Sequence, residues 1–265
     1  MFKTRSYLVT QANLELCFPD MSEVERGELA RVSLKSTGQT LMETPVVWLS
    51  KPKTLTTWIE RVVNEELLDV ATGAGKGVIV LLPHIGNWEL FNVYFAGRGK
   101  MTALYQPPRQ VYLQELIEDI RSRFGNEMVP TNVKGIARLY KVLQAGGVVT
   151  ILPDQVPANG LFVPFFGVEA LTDQLVSRLV QKTGATVVAV SVIRLENGRF
   201  EIVVQPGDEG IYSPEIEASV TAVNKTVEKL VINVPEQYQW EYKRFRKRPK
   251  GEKKMYRFGK REGIH

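Results

Sequence analysis

A chain of 265 residues with 44% apolar and 24% charged side chains is long enough to bury a sizeable core as one large domain and has the composition of a soluble globular protein. Its single cysteine, Cys17, excludes an internal disulfide and every Cys-rich zinc pattern and fits a reducing compartment, while only two histidines, His84 and the terminal His265, exclude metal hydrolases that need two or three. The net charge of +5 is uneven: from Lys243 to Arg261 eleven Lys or Arg stand against one acid, Glu252, so that segment is +10 and the remainder −5, which directs anionic partners to the tail.

Along the chain, Ser22-x-x-Glu25 is a capping-box pattern that opens a helix to about Trp48, broken at Pro52. The spacing of Leu55, Trp58, Ile59, Val62, Val63 and Leu67 predicts a second amphipathic helix over 54–69. A glycine-containing loop over 71–77 leads to Val78-Ile79-Val80-Leu81-Leu82, a buried strand that Pro83 ends, and a helix follows over about 88–97. A short strand over 102–105 is closed by Pro107-Pro108, and helices are predicted at about 110–124 and 134–145. Gly147–Leu152 is a further core strand, ended by Pro153, and a helix is predicted over 171–183. Asn197-Gly198 supplies the positive φ angles of a tight turn and joins strands over 186–195 and 199–205 into a hairpin. Ser213-Pro214 starts a helix to about Asn233, and Pro235 starts another that runs into the basic tail. Strands separated by helices predict an α/β fold, a central mostly parallel sheet flanked by helices with an added antiparallel hairpin. The expected organisation is one domain over 1–249, helical over its first 70 residues, followed by a basic tail over 250–265. No run approaches the roughly eighteen apolar residues of a spanning helix, no signal-peptide pattern opens the chain, and there is no internal repeat.

Several chemical motifs fail on inspection. Gly73-Ala74-Gly75-Lys76-Gly77 precedes its strand, whereas a phosphate loop follows one and needs Ser or Thr after the Lys. There is no G-x-S-x-G elbow and no G-x-G-x-x-G turn. What remains is His84, the sole internal imidazole, placed where a strand turns into a helix, which is where open α/β sheets hold their sites. Five residues on lies Glu89. On a continuous helix the two side chains would point about 140° apart, so they meet only if the chain bends, and Pro83 and Gly86 permit a bend. A carboxylate on one ring nitrogen fixes the tautomer and raises the basicity of the other. On spacing alone a structural histidine is the commoner outcome.

The block Pro83-His84-Ile85-Gly86-Asn87-Trp88-Glu89 resembles the H-x4-D/E signature of the late acyltransferases of lipid A biosynthesis, the lauroyl and myristoyl transferases, within the lysophospholipid acyltransferase superfamily. Four further blocks resemble that family's in its own order: Asn13-Leu14-Glu15-Leu16-Cys17-Phe18-Pro19 with Ser22 and Glu25, Tyr105-Gln106-Pro107-Pro108-Arg109, Asp154-Gln155 with Phe162-Val163-Pro164-Phe165-Phe166-Gly167, and Pro235-Glu236-Gln237-Tyr238-Gln239-Trp240. The resemblance covers about residues 10–249. Two departures stand out: family members usually begin with an apolar membrane-spanning segment that this sequence lacks, and Gln106 stands where many relatives carry Arg, which bears on the preferred acceptor.

The resemblance implies an acyltransferase that moves a fatty acyl chain from an acyl-carrier-protein thioester to a hydroxyl of a lipid A precursor. His84 would be the general base and Glu89 its orienting partner. Arg109, Asp154, Gln155 and Asn87 would be substrate-binding. Arg109, in a Pro-stiffened turn, suits a phosphate or an oxyanion, or equally a surface ion pair. Asp154, at a strand end, suits acceptor binding, orientation of Arg109 or a turn cap. Asn87 suits a turn or an oxyanion donor, and Phe162, Phe165 and Phe166 suit an acyl groove or ordinary core. No metal or organic cofactor and no nucleic acid is implied. The implied partners are acidic acyl carrier protein, a lipid acceptor and an anionic membrane surface, and the implied place is the cytoplasmic face of the bacterial inner membrane. Trp240, Tyr242 and Phe245, interleaved with the C-terminal cations, fit a segment lying on lipid headgroups. Another membrane-lipid acceptor, or a non-enzymatic lipid-surface module, remains open.

Overall fold

Residues 4–105, 124–256 and 258 are described by a computed structural model of the protein. At the N-terminus α1 (Arg5–Cys17) packs on α2 (Glu23–Leu49), and the capping box at the start of α2 is formed, with the Ser22 hydroxyl and Glu25 carboxylate each accepting the other's backbone N–H. Next come α3 (Pro52–Thr56), β1 (Ile59–Val63) and α4 (Glu65–Gly73), in place of the one helix predicted over 54–69. The apolar spacing there serves either period. The β-branched Ile59, Val62 and Val63 find a ladder on β9 (Phe200–Pro206), and Asn64, at φ 56°, separates strand from helix.

The main sheet has seven strands in the order β1-β9-β8-β2-β5-β3-β4. Five of them run parallel: β2 (Val78–Leu81), β3 (Met101–Tyr105), β4 (Glu127–Pro130), β5 (Val148–Ile151) and β8 (Thr186–Arg194). The Asn197-Gly198 turn, with Gly198 at φ 79°, reverses the chain into β9, antiparallel to β8, and β1 follows the direction of β9. A separate antiparallel pair is made by β6 (Leu161–Phe165) and β7 (Val168–Thr172), whose last two residues, Leu171 and Thr172, are where the sequence predicted the start of a helix. The helices among the described residues are completed by α5 (Glu89–Ala96), α6 (Val133–Gln144), α7 (Leu175–Thr183) and α8 (Ile216–Asn233). The helix expected at about 110–124 lies almost wholly on residues outside the description.

Strand β2 is apolar throughout because both of its faces are covered. Ile79 and Leu81 join Leu139, Leu179, Val223 and Leu230 in one core, while Val78 and Val80 join Leu55, Leu68, Leu90 and Phe91 in the other.

Over its described residues the basic C-terminal segment does not form the helix predicted from Pro235. Pro235–Gln237 makes one 3-10 turn, after which the chain folds back against the body. Trp240 and Phe245 are 1% and 0% exposed. Buried Arg244 donates to the Leu171 carbonyl at 2.6 Å and the Thr172 hydroxyl at 2.8 Å, and Lys247 donates to the carbonyls of Pro157 and Ala158. Tyr256, assigned to the tail, donates to Asn13 Oδ1 at 2.6 Å. Arg244, which read as part of a surface block, instead satisfies buried oxygens, as a buried guanidinium requires, while Arg246, Lys247, Lys250, Lys253 and Lys254 are exposed.

Candidate active site

Strands β2 and β5 are neighbours in parallel register, with Leu81 opposite Ile151. Each continues with the same three steps, Leu82-Pro83-His84 and Leu152-Pro153-Asp154. Equal offsets from a paired position set His84 and Asp154 side by side at the carboxyl end of the sheet, and the prolines end the ladder before either side chain is committed to it. The Asp154 carboxylate then takes two bonds from one residue: Oδ1 lies 2.8 Å from His84 Nδ1, and Oδ2 accepts the His84 backbone N–H at 2.9 Å. Burial by itself raises the Asp154 pKa. Electrostatic attraction to His84, with hydrogen bonds from the His84 ring, the His84 backbone and its own backbone, outweighs that and holds the carboxyl below the usual aspartate range. An ionised Asp154 assigns the ring proton to Nδ1, which leaves the Nε2 lone pair facing outward, and the Gln155 side-chain nitrogen lies 3.2 Å from it. Burial and the Asp154 carboxylate raise the pKa of the adjacent Tyr238 phenol well above 10, so it stays neutral.

The turn after His84 is braced from three directions. Gly86, at φ 57°, donates its N–H to the Gln237 carbonyl at 2.9 Å, and Asn87 N–H donates to the Val192 carbonyl at 3.1 Å. The Gln239 N–H donates to the His84 carbonyl at 3.2 Å, and the Thr40 hydroxyl to the Gly86 carbonyl at 3.0 Å. From α2, Glu43 accepts Asn87 Nδ2 at 3.0 Å and Arg194 Nε at 2.7 Å, and Arg194 also donates to the hydroxyls of Ser36 and Thr40. Asn87, which the sequence reading placed in a turn or on substrate, is fully buried in this network, holds the turn and lines neither cavity at the imidazole. A Cβ on Gly86 would lie 1.9 Å from the Val192 carbonyl oxygen. Gly86→Ala is therefore expected to lower unfolding stability by about 2 kcal/mol or more, from positive φ plus overlap. Gly38→Ala, with open space around its Cβ inside α2, should leave stability unchanged or raised. Denaturant midpoints of the two variants check the pair.

Two cavities meet at His84, Trp88 and Glu89. The first, about 300 Å³, runs under the strand ends between Leu82, Met101, Ala103, Leu104, Met128 and Leu152. The second, about 260 Å³, is bordered by Thr37, Thr40, Thr44, Gln237 and Gln239. Trp88 presents its ring edge-on to the imidazole, centroids 4.7 Å apart. Glu89 opens α5, is 9% exposed and faces both cavities, since the left-handed Gly86 supplies the bend its spacing from His84 required. The ring nitrogens, however, are met by Asp154 and Gln155. Asp154, which the sequence reading placed on the acceptor, on Arg109 or in a turn cap, bonds Nδ1.

Arg109 lies outside the described residues. Phe165 packs against Tyr238 and Phe245, and Phe166 against Phe18 and Trp240, so the F-F-G block is core and lines neither cavity at His84. Sequence reasoning missed the Asp154–His84 pairing and the Glu43–Arg194 brace. The repeated Leu-Pro-X ending on two core strands was a usable signal for the first. No local signal marks the second, whose members are 151 positions apart. Among the described residues no cluster of His, Cys, Asp and Glu is arranged to hold a metal ion, and no helix is long and apolar enough to cross a membrane.

Comparison with known proteins bears on this arrangement. Residues 1–247 match the model of the bacterial lipid A biosynthesis acyltransferase family. The chain is 30% identical over 259 residues to the lipid A biosynthesis lauroyltransferase of Escherichia coli K12, covering 96% of this chain and 84% of that protein. It is 30% identical over 263 residues to the palmitoleoyltransferase of the same strain, covering 96% and 83%. It is 26% identical over 246 residues to a lipid A biosynthesis acyltransferase of Haemophilus influenzae, covering 91% and 76%.

Proposed function

This chain belongs to the family of bacterial lipid A biosynthesis acyltransferases and is an acyltransferase, and from that premise we propose that it transfers a fatty acyl chain from an acyl-carrier-protein thioester to a hydroxyl of a lipid A precursor, with His84 as general base. The observation that carries this reading is the imidazole held through Nδ1 by a buried carboxylate, on a residue that borders two adjoining cavities. The acceptor hydroxyl displaces the Gln155 amide and gives its proton to Nε2 as its oxygen attacks the thioester carbonyl. The tetrahedral adduct collapses with cleavage of the C–S bond, and the proton passes from the imidazolium to the leaving thiolate, so an ester and a thiol replace an alcohol and a thioester. Asp154 stabilises the imidazolium while it exists, the Glu89 carboxylate beside it adds to that field, and Gln155 and Arg109 contact substrate. Both cavities mix apolar walls with a few polar groups, which suits an acyl chain and a hydroxylated headgroup meeting at His84. The place of action is the cytoplasmic face of the bacterial inner membrane.

Incubation of the protein with acyl carrier protein thioesters of several chain lengths and a tetra-acylated lipid A precursor tests this. Mass spectrometry is expected to find the precursor heavier by one acyl group, with an equal amount of thiol released. Acylation of a glycerophospholipid in the same mixture, with the lipid A precursor left untouched, would replace the proposed acceptor.

A further inference from the structure

The last turns of α2 carry a surface that the cleft does not explain. Their outer side exposes Leu41, Met42, Val46 and Leu49, at 68%, 77%, 42% and 73%, with Pro45 among them. At 100° per residue these five positions fall within an arc of about 140° and make one stripe. Ser33, Ser36, Thr40 and Val47, on the other side of the helix, are buried. Charges around the stripe have one sign. Arg31 and Lys35 precede it, Lys51 and Lys53 follow it, and the single acid between Arg31 and Lys53 is Glu43, which turns inward onto Arg194. The stripe also reaches the cleft, because Leu41, Thr44 and Trp48 border the same cavity as His84 and Glu89.

A helix end with an apolar stripe, flanked by cations on either side in sequence, has the pattern of one lying in a bilayer interface, and the exposed acids of α2, Glu23, Glu25 and Glu28, stand in its first turns away from the stripe. A second copy docked on the same stripe about a twofold axis would set cations against cations, which disfavours self-association. We propose that this face of α2 is the lipid-docking surface of the protein. The stripe enters the boundary between acyl chains and headgroups of an anionic bilayer, Arg31, Lys35, Lys51 and Lys53 meet lipid phosphates, and the cleft opens at the plane where a lipid acceptor presents its headgroup. The reason for the cleft and the bilayer to meet rests on the lipid-acceptor reading, and the docking itself is measured without it. Of the aromatic residues that the sequence reading placed beside the C-terminal cations on lipid headgroups, Trp240 and Phe245 are core.

The single native cysteine, Cys17, is buried, so a cysteine introduced at Met42 is the one that labels. A polarity-sensitive dye at Met42→Cys is expected to shift to the blue with vesicles of phosphatidylglycerol and phosphatidylethanolamine, less so with phosphatidylcholine alone, and to lose the response at high salt. The same dye at Val70→Cys, 71% exposed on α4, should not respond. Met42→Glu combined with Leu49→Glu is expected to weaken vesicle binding by at least about tenfold, with unchanged melting and unchanged acyl transfer to a detergent-dispersed acceptor. Vesicle binding equal to wild type, a silent label at position 42, or sedimentation showing the stripe closed in a dimer would overturn the proposal. Absence of transfer to the dispersed acceptor by wild type and variant alike would instead remove the acyltransferase reading, with the vesicle result still deciding the docking face.

Discussion

Replacing His84 with asparagine is expected to lower acyl transfer by about 10² to 10⁴ while leaving a folded protein, because a positioned general base contributes that much to proton removal in the transition state. The choice of asparagine follows from the geometry. Its side-chain nitrogen falls near the place of Nδ1, so the 2.8 Å bond to Asp154 keeps a donor, and nothing replaces Nε2. His84→Ala should lose as much activity and also some stability, since it takes the ring bond from a 3% exposed carboxylate. Turnover in the thioester assay, read beside thermal melting, separates the two effects. A well-folded His84→Asn protein with near wild-type turnover would end the assignment of His84 as base. Equal stability of the asparagine and alanine variants would show that the Asp154 bond does little for the fold.

How much of this was legible in the chain depends on how local each cause is. The strand ending at Pro83, the strand ending at Pro153 and the Asn197-Gly198 hairpin announce themselves because two-sided burial and turn chemistry act within a few residues. β1 did not, because Ile59, Val62 and Val63 fit a helical or an extended period equally and β9, far along the chain, decides between them. Arg244 was misread for a similar reason: it looks like a surface charge until β7 supplies the Leu171 and Thr172 oxygens it bonds. At the site, His84 was found by elimination, its partner was not. The five-residue spacing to Glu89 is a contiguous pattern. The spacing of 70 positions to Asp154 becomes a contact only through the β2–β5 register.

That register makes Asp154 the residue whose change should be most informative. Asp154→Asn keeps the volume and an oxygen for the His84 backbone N–H, but it removes the negative charge and offers the ring an amide that can donate as well as accept. The imidazole then has no fixed tautomer, and the imidazolium formed during transfer has lost the carboxylate at 2.8 Å. A loss of about 10² to 10⁴ in turnover is expected, with substrate affinity changed far less, because the group acts through His84. Linkage supplies a second readout that a role in substrate contact alone would not move. The Asp154 pKa is lower in the folded protein than its ordinary value, so its ionised form favours the fold. That contribution is fully present above the unfolded pKa, about 3.9, and disappears as pH falls through the lower folded value. The difference in unfolding free energy between wild type and Asp154→Asn should therefore be constant from pH 7 down to about 5 and shrink on further acidification. A difference that stays flat through the acid range, together with near wild-type turnover, would mean that the carboxylate fills space beside His84 without holding or charging it.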